Sequence, residues 1–315
     1  MSEDEIIATI VAAVPHAPPP AGPGDDAAIL APGPARALTT DALVEGTHFV
    51  RGHPPEALGW KALAVNLSDV AAMGATPEAF TLALALPPGL DEGWVRAFAA
   101  GLGACARGAG VSIAGGDTVR GERVVISITA WGTLAGPPLR RAGGKPGDVL
   151  LVRGDVGRSG VGLARWLADP RPERKDLDDP VLAAHLRPEP PLDAGPLAAR
   201  AGASAGLDLS DGLATDLPRL ARASQVDLVV DLDRLPADPL LADVDARARA
   251  ATGEDYGLAV LAPPDVAAAL EGAGFVRIGH ARAPDRLGPD AGRVIWRERG
   301  LEVAPVRPAF AHFES

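Results

Sequence analysis

The chain has 315 residues with 41 acidic and 30 basic side chains, a net charge of -11, which disfavours nucleic acid and anionic membranes as partners because both need a cationic face. Hydrophobic residues make up 47% and aromatics 4%, which leaves the core to Ala, Val, Leu and Ile. Cys105 is the single cysteine, so an internal disulfide is excluded and a buried small side chain is expected.

The length predicts two domains. Only three lysines occur, Lys61, Lys145 and Lys175, so a phosphate site would depend on metal ions, Arg or backbone N–H groups. The acidic start MSEDE is unlike a signal peptide, and no uncharged apolar run is long enough to span a bilayer. A soluble cytoplasmic protein is expected.

In chain order, residues 2–14 predict an amphipathic helix, with Ser2 and Glu5 in capping-box spacing. Short strands are expected at 26–30 and 37–40. Apolar residues at helical spacing predict a helix over 55–73, ended at Gly74. Alternation then predicts a strand over 79–86 with Phe80, Leu82, Leu84 and Leu86 on one face. A helix at 91–107 and strands at 111–114 and 123–134 complete a mixed sheet with helices on one face.

Gly136, Pro137 and Pro138 mark the expected boundary between an N-terminal domain, 1–137, and a C-terminal domain, 138–315. The second half predicts strands at 149–152, 203–209, 226–232, 258–261 and 275–279. Helices are expected up to Ala168, over 213–223 and over 266–270, with a charged loop at 169–180. The fold class is therefore α+β in two domains, the second of α/β type.

Carboxylates recur where strands and helices meet loops. Asp25 and Asp26 follow a Pro-Gly turn, and turn formation alone explains them. Asp41, after Thr39 and Thr40, combines a carboxylate with hydroxyl and carbonyl oxygens, the donors a hard Mg2+ ion prefers. Asp69 sits in an apolar helix and needs either an Arg or a metal as counter-charge. Asp117 follows Gly115 and Gly116, which fits a turn or a close nucleotide equally well. In LDLSDG, Ser210 and Asp211 fit a helix N-cap or a ligand role, and Glu254 and Asp255 again fit a turn. No P-loop signature or H-E-x-x-H motif is present, and the Gly-rich 154–162 segment is a weak phosphate-binding signal.

The ordered set GDDAAIL, TTDALVEGTHF, KALAVNLSDVAAMGA, GGDT, KPGD, LRPEPP, LDLSDGL and GEDY strongly resembles the thiamine-monophosphate kinase family, over nearly the whole chain. That resemblance implies an aminoimidazole ribonucleotide synthetase-like (PurM-like) fold, a homodimer formed through the N-terminal sheets, and ATP-dependent phosphorylation of thiamine monophosphate by direct in-line transfer. It also implies Mg2+ ligands at Asp26, Asp41, Asp69, Asp117 and Asp208, with Thr39 and Thr40 beside them and Asp211 near a further ion. Gly116, Asp117, Arg141 and Ser210 would face ATP. His48, Glu254 and the aromatic Phe310 would contact thiamine monophosphate. Ala309, Phe310 and Gly257 depart from the residues usual in the family. Another ATP-using member of the same superfamily with a different acceptor is one alternative, and a non-catalytic nucleotide-binding homologue is the second.

Overall fold

A computed structural model describes residues 1–17, 32–168, 178–286, 288 and 291–309. Helix α1 (Glu3–Ala13) begins with the expected capping box, Ser2 accepting from the Glu5 backbone and Glu5 from that of Ser2. The strand expected at 26–30 lies outside the described residues.

The first sheet has four strands, β1 (Arg36–Val44), β2 (Ala75–Leu86), β3 (Ser112–Arg120) and β4 (Val125–Leu134), in the order β1-β4-β2-β3. It is mixed, because β2 runs parallel to β3 and antiparallel to β4. Phe80, Leu82, Leu84 and Leu86 are all buried, as their alternation requires. They pack under α2 (Pro55–Ala72) and α3 (Glu92–Ala109). At Gly59 and Gly101 these helices meet backbone to backbone: a Cβ would lie 2.1 Å from the Phe98 carbonyl oxygen and 1.8 Å from that of Glu56.

Two of the strands that are longer than expected bear on function. Strand β1 pairs continuously with β4 through Val44, so Asp41 lies opposite Ile128 in mid-strand. Strand β3 likewise continues through GGDT, whose glycines on sequence alone fit a turn or a close nucleotide. Gly116 makes that possible, since a Cβ there would sit 2.1 Å from the Leu82 carbonyl oxygen of β2.

The second sheet has seven strands: β5 (Val149–Arg153), β6 (Ala205–Leu209), β7 (Asp227–Asp231), β8 (Gly257–Ala262), β9 (Val276–Arg282), β10 (Val294–Glu298) and β11 (Leu301–Glu302). Their order is β11-β10-β7-β9-β5-β8-β6. Alternate residues of β5 enter different cores, Leu150 and Val152 on one face, Val149 and Leu151 on the other. The first face is covered by α7 (Leu213–Ser224) and α8 (Ala246–Ala251), the second by α6 (Ala194–Ala201) and α9 (Pro264–Gly272). Both faces are thus buried, which explains why β5 and β8 read as unbroken apolar runs.

Helices α4 (Arg158–Ala168) and α5 (Pro180–Leu186) form a small unit around Trp166, Leu182 and Leu186. Of the expected 169–180 loop, residues 169–177 lie outside the described residues, and Pro180 opens α5.

Helix α2 is the wall between the two sheets. Fourteen of its eighteen residues are buried, because it is covered from both sides. Its C-terminal end meets α6 so closely that a Cβ at Gly195 would lie 1.6 Å from the Ala71 carbonyl oxygen. Near its start, Trp60 Nε1 donates to the Pro188 carbonyl at 2.7 Å. No helix among the described residues is long and apolar enough to cross a membrane.

Candidate active site

Three carboxylates from three elements converge beside α2. Thr39 and Asp41 are two residues apart on β1 and share its inner face. The Thr39 hydroxyl donates to Asp69 Oδ2 at 2.7 Å, and Asp41 N donates to Asn66 Oδ1 at 3.0 Å. From the other side, Ser68 Oγ donates to Asp208 Oδ2 at 3.2 Å, at the end of β6. Asp208 is 6% exposed.

Their electrostatics are adverse. Burial, then the Asp69 charge, pushes the Asp41 carboxyl up from 3.8 to about 6. Burial also raises Asp69, against the Thr39 hydrogen bond and the Arg141 charge. Asp208 is raised by burial and then by Asp69, Asp216 and Asp41. Among the described residues, none of the three forms an ion pair. Hard oxygen donors that repel one another, with no ion-pair partner among the described residues, suit Mg2+ once further oxygen donors join them. No three of the described His, Cys, Asp and Glu side chains are near enough to enclose an ion on their own.

The other expected site residues have distinct placements. Thr40 faces away from Asp41: its hydroxyl donates to the Ile128 carbonyl at 3.0 Å and accepts from Thr129 Oγ1 at 3.0 Å. Gly116 and Asp117 are exposed on β3, across the sheet from β1. Three strand spacings separate them from Asp41, about 14 Å, so one chain does not bring Asp117 to the cluster. Arg141 is exposed and acts on Asp69 by charge.

After β6, Asp211 pairs with Arg219 at 2.6 Å, and its backbone N–H donates to Asp216 Oδ2 at 2.9 Å. The N-cap of α7 is Gly212, at φ +91 and without a side-chain cap, so neither Ser210 nor Asp211 caps that helix. The Ser210 carbonyl accepts from Glu254 N at 2.7 Å, which ties LDLSDG to GEDY.

His48 is half-buried, and its Nδ1 accepts from Val44 N at 3.0 Å, which fixes Nε2 as the protonated nitrogen of the neutral ring. Asp255 accepts from Gly157 N at 2.6 Å and Ser159 N at 2.9 Å, anchoring the start of α4. Glu254 and Tyr256 hold positive φ of 64° and 52°, sparsely populated for such residues. Glu254 bonds to Lys61 Nζ at 3.0 Å. Asp26 and Phe310 lie outside the described residues.

Sequence reasoning missed Ser68, Asn66, Lys61, His185 and Asp216. Lys61 did leave a signal, a lysine within the otherwise apolar helical run GWKALAV.

Comparison with known proteins places the chain among its relatives. Residues 24–134 match the AIR synthase related protein, N-terminal domain, and residues 145–290 match its C-terminal domain. A thiamine-monophosphate kinase of Synechococcus elongatus is 41% identical over 264 residues, 78% of this chain and 79% of that protein. A solved thiamine-monophosphate kinase from Stenotrophomonas maltophilia superposes with a TM-score of 0.78 at 35% identity, covering 94% of this chain and 95% of that one. AaThiL complexed with AMPPCP and TMP superposes with a TM-score of 0.75 at 30% identity, covering 86% and 85%. With two AIR synthase related domains and relatives of this identity and coverage, the chain belongs to the thiamine-monophosphate kinase family.

Proposed function

We propose that the protein moves the γ-phosphoryl group of ATP directly onto the phosphate of thiamine monophosphate, giving thiamine diphosphate and ADP in the cytoplasm. The observation that carries this reading is the meeting of Asp41, Asp69 and Asp208, carboxylates that oppose one another without a paired cation. Asp41, Asp69 and Asp208 would hold Mg2+, joined by Asp26 and Asp211 and by Thr39, whereas the Thr40 hydroxyl is turned to Ile128 and Thr129. Several ions bound there would screen the like charges of two phosphates, which three lysines cannot do.

The residues of the chain then orient the reactants. Thr39 and Ser68 fix two of the carboxylates through their hydroxyls. Arg141 and Ser210 would meet ATP, while His48, Glu254 and Phe310 would meet the thiamine end. In-line transfer needs no protein nucleophile, and positioning with charge neutralisation supplies the catalysis.

Two chains would complete each site, and the sheet supports this. Its outer face leaves two large apolar side chains open, Leu38 67% and Val119 50% exposed. Both β1 and β3 are edge strands. Pairing β3 of one copy with β1 of another removes those edges and closes an eight-stranded barrel, a homodimer that would bring Gly116 and Asp117 beside the other copy's Asp41. The division into 1–137 and 138–315 then separates a dimer-forming half from a half that closes over the substrates.

The test is ADP release with ATP, Mg2+ and a panel of thiamine, thiamine monophosphate and aminoimidazole precursors. Turnover confined to thiamine monophosphate is expected. Turnover with another acceptor, or nucleotide binding without ADP, would replace the assignment with the corresponding alternative.

A further inference from the structure

A buried group outside the acidic cluster joins three distant segments. Lys61 of α2 is 1% exposed, and its ammonium lies 3.0 Å from Glu254 Oε1 and 3.1 Å from the His185 carbonyl oxygen. His185 of α5 places Nδ1 3.1 Å from Glu254 Oε2. Each carboxylate oxygen thus has a nitrogen of a different element close to it. The Glu254 side chain is itself 30% exposed, against 1% for Lys61 and 4% for His185. The open member of the group is the acid, held in a left-handed backbone conformation by the bond from its N–H to Ser210.

We propose that Lys61 and His185 are positioning residues that hold Glu254 as a fixed anion facing the cationic, thiazolium-bearing end of the acceptor. This rests on the reading of thiamine monophosphate as the second substrate. An apolar filler would stabilise a purely structural position as well as a buried ion pair does. A charge buried on one side and open on the other instead serves a ligand of opposite sign.

The surrounding charges agree with the geometry. Burial alone would raise the Glu254 carboxyl, but Lys61 and then His185 outweigh it and hold the group well below the usual carboxylate range. Burial and then Lys61 lower His185, and the same two effects bring His53, whose ring lies 6.3 Å from that of His185, to about 3. Burial raises Tyr256. The Lys61 ammonium, 3.0 Å away, is the main positive charge beside Glu254.

The experiment measures kcat and KM for thiamine monophosphate at saturating ATP and Mg2+, from about pH 5.5 to about pH 9. It uses the full-length wild type, Glu254→Gln, Lys61→Met and the double variant. Dividing each profile by that of its Glu254→Gln counterpart cancels titration of the substrate phosphate and of the metal-binding carboxylates. The wild-type ratio is expected to be flat, because Glu254 stays ionised throughout. The Lys61→Met ratio is expected to fall on the acid side, since the largest effect opposing burial is then gone. KM for thiamine monophosphate should rise roughly tenfold near pH 6, with KM for ATP unchanged.

A wild-type ratio that itself falls near neutral pH, or a Lys61→Met ratio as flat as wild type, would overturn the proposal. If Lys61→Met does not fold, Lys61→Gln and the wild-type to Glu254→Gln ratio still decide it. A wild-type enzyme that releases no ADP with thiamine monophosphate overturns the acceptor assignment instead, so the two failures are distinguishable.

Discussion

Replacing Asp41 by Asn should stabilise the metal-free protein while removing its activity. The Asp41 carboxyl is raised from 3.8 to about 6, so its ionised form is disfavoured in the folded chain by about two pKa units. At about 1.4 kcal/mol per unit that is about 3 kcal/mol, reduced to about 2 kcal/mol by partial solvent contact. The backbone bond from residue 41 to Asn66 survives the substitution. For a chain of this size, about 2 kcal/mol corresponds to a rise in Tm of about 4 °C.

The pH dependence has a definite sign. Below about pH 4 Asp41 is protonated in both folded and unfolded chains, and the variant gains nothing. Between about pH 4 and about pH 6 the unfolded chain gives up its proton first, so wild-type stability falls as pH rises. Above about pH 6 the whole difference is present. Thermal scans in chelator at about pH 4 and about pH 8 therefore separate the effect from general stabilisation. Turnover should fall at least roughly a hundredfold, as expected when a charge-stabilising group is lost. An Asp41→Asn protein less stable than wild type at the higher pH, or one that keeps its turnover, would refute the reasoning.

Mixing inactive Asp41→Asn and Asp117→Asn chains should restore about a quarter of wild-type turnover, because half the dimers are mixed and each has one intact site. No recovery after subunit exchange would contradict a site shared between copies. Gly101→Ala should destabilise the fold by about 3 kcal/mol, since its Cβ would sit 1.8 Å from the Glu56 carbonyl oxygen; a denaturation midpoint equal to wild type would show that α2 and α3 can separate freely. Asp255→Ala removes the acceptor of two backbone N–H groups at the start of α4 and should weaken that region by about 2 kcal/mol. Faster amide exchange across α4 is the expected signature, and unchanged exchange would assign the anchoring elsewhere.

What was legible in the sequence follows from what each signal depends on. The alternation of β2 and the capped amphipathic α1 are local patterns, and the structure reproduces both. Strand β3 looked shorter than it is because Gly115 and Gly116 read as a turn, whereas Gly116 is needed for contact with β2 across the sheet. Helices α5, α6 and α8 and strand β10 escaped notice because six to eight residues of short Ala-rich helix, or a three-residue apolar run, carry little periodicity. Pairing between distant segments holds them in place.

The same division applies to the site. Asp69 was noticeable because a carboxylate in an apolar helix demands a partner, and Thr39 and Asp208 now stand beside it. Its further electrostatic partner, Arg141, lies beyond α3 in the chain, a proximity no local pattern encodes. Lys61 was hidden for the complementary reason: its partners, His185 and Glu254, are more than a hundred residues away in the chain. A buried charge is visible in sequence only as an exception, and its purpose becomes readable once the fold supplies the other half of the pair.

The most direct measurement is a crystal structure with a non-hydrolysable ATP analogue, thiamine monophosphate and Mn2+ in place of Mg2+, with anomalous scattering used to locate the ions. The account predicts anomalous peaks among Asp41, Asp69 and Asp208, bridging the carboxylates to the phosphate oxygens. Phosphates bound elsewhere, or bound beside these carboxylates with no anomalous peak between them, would contradict it.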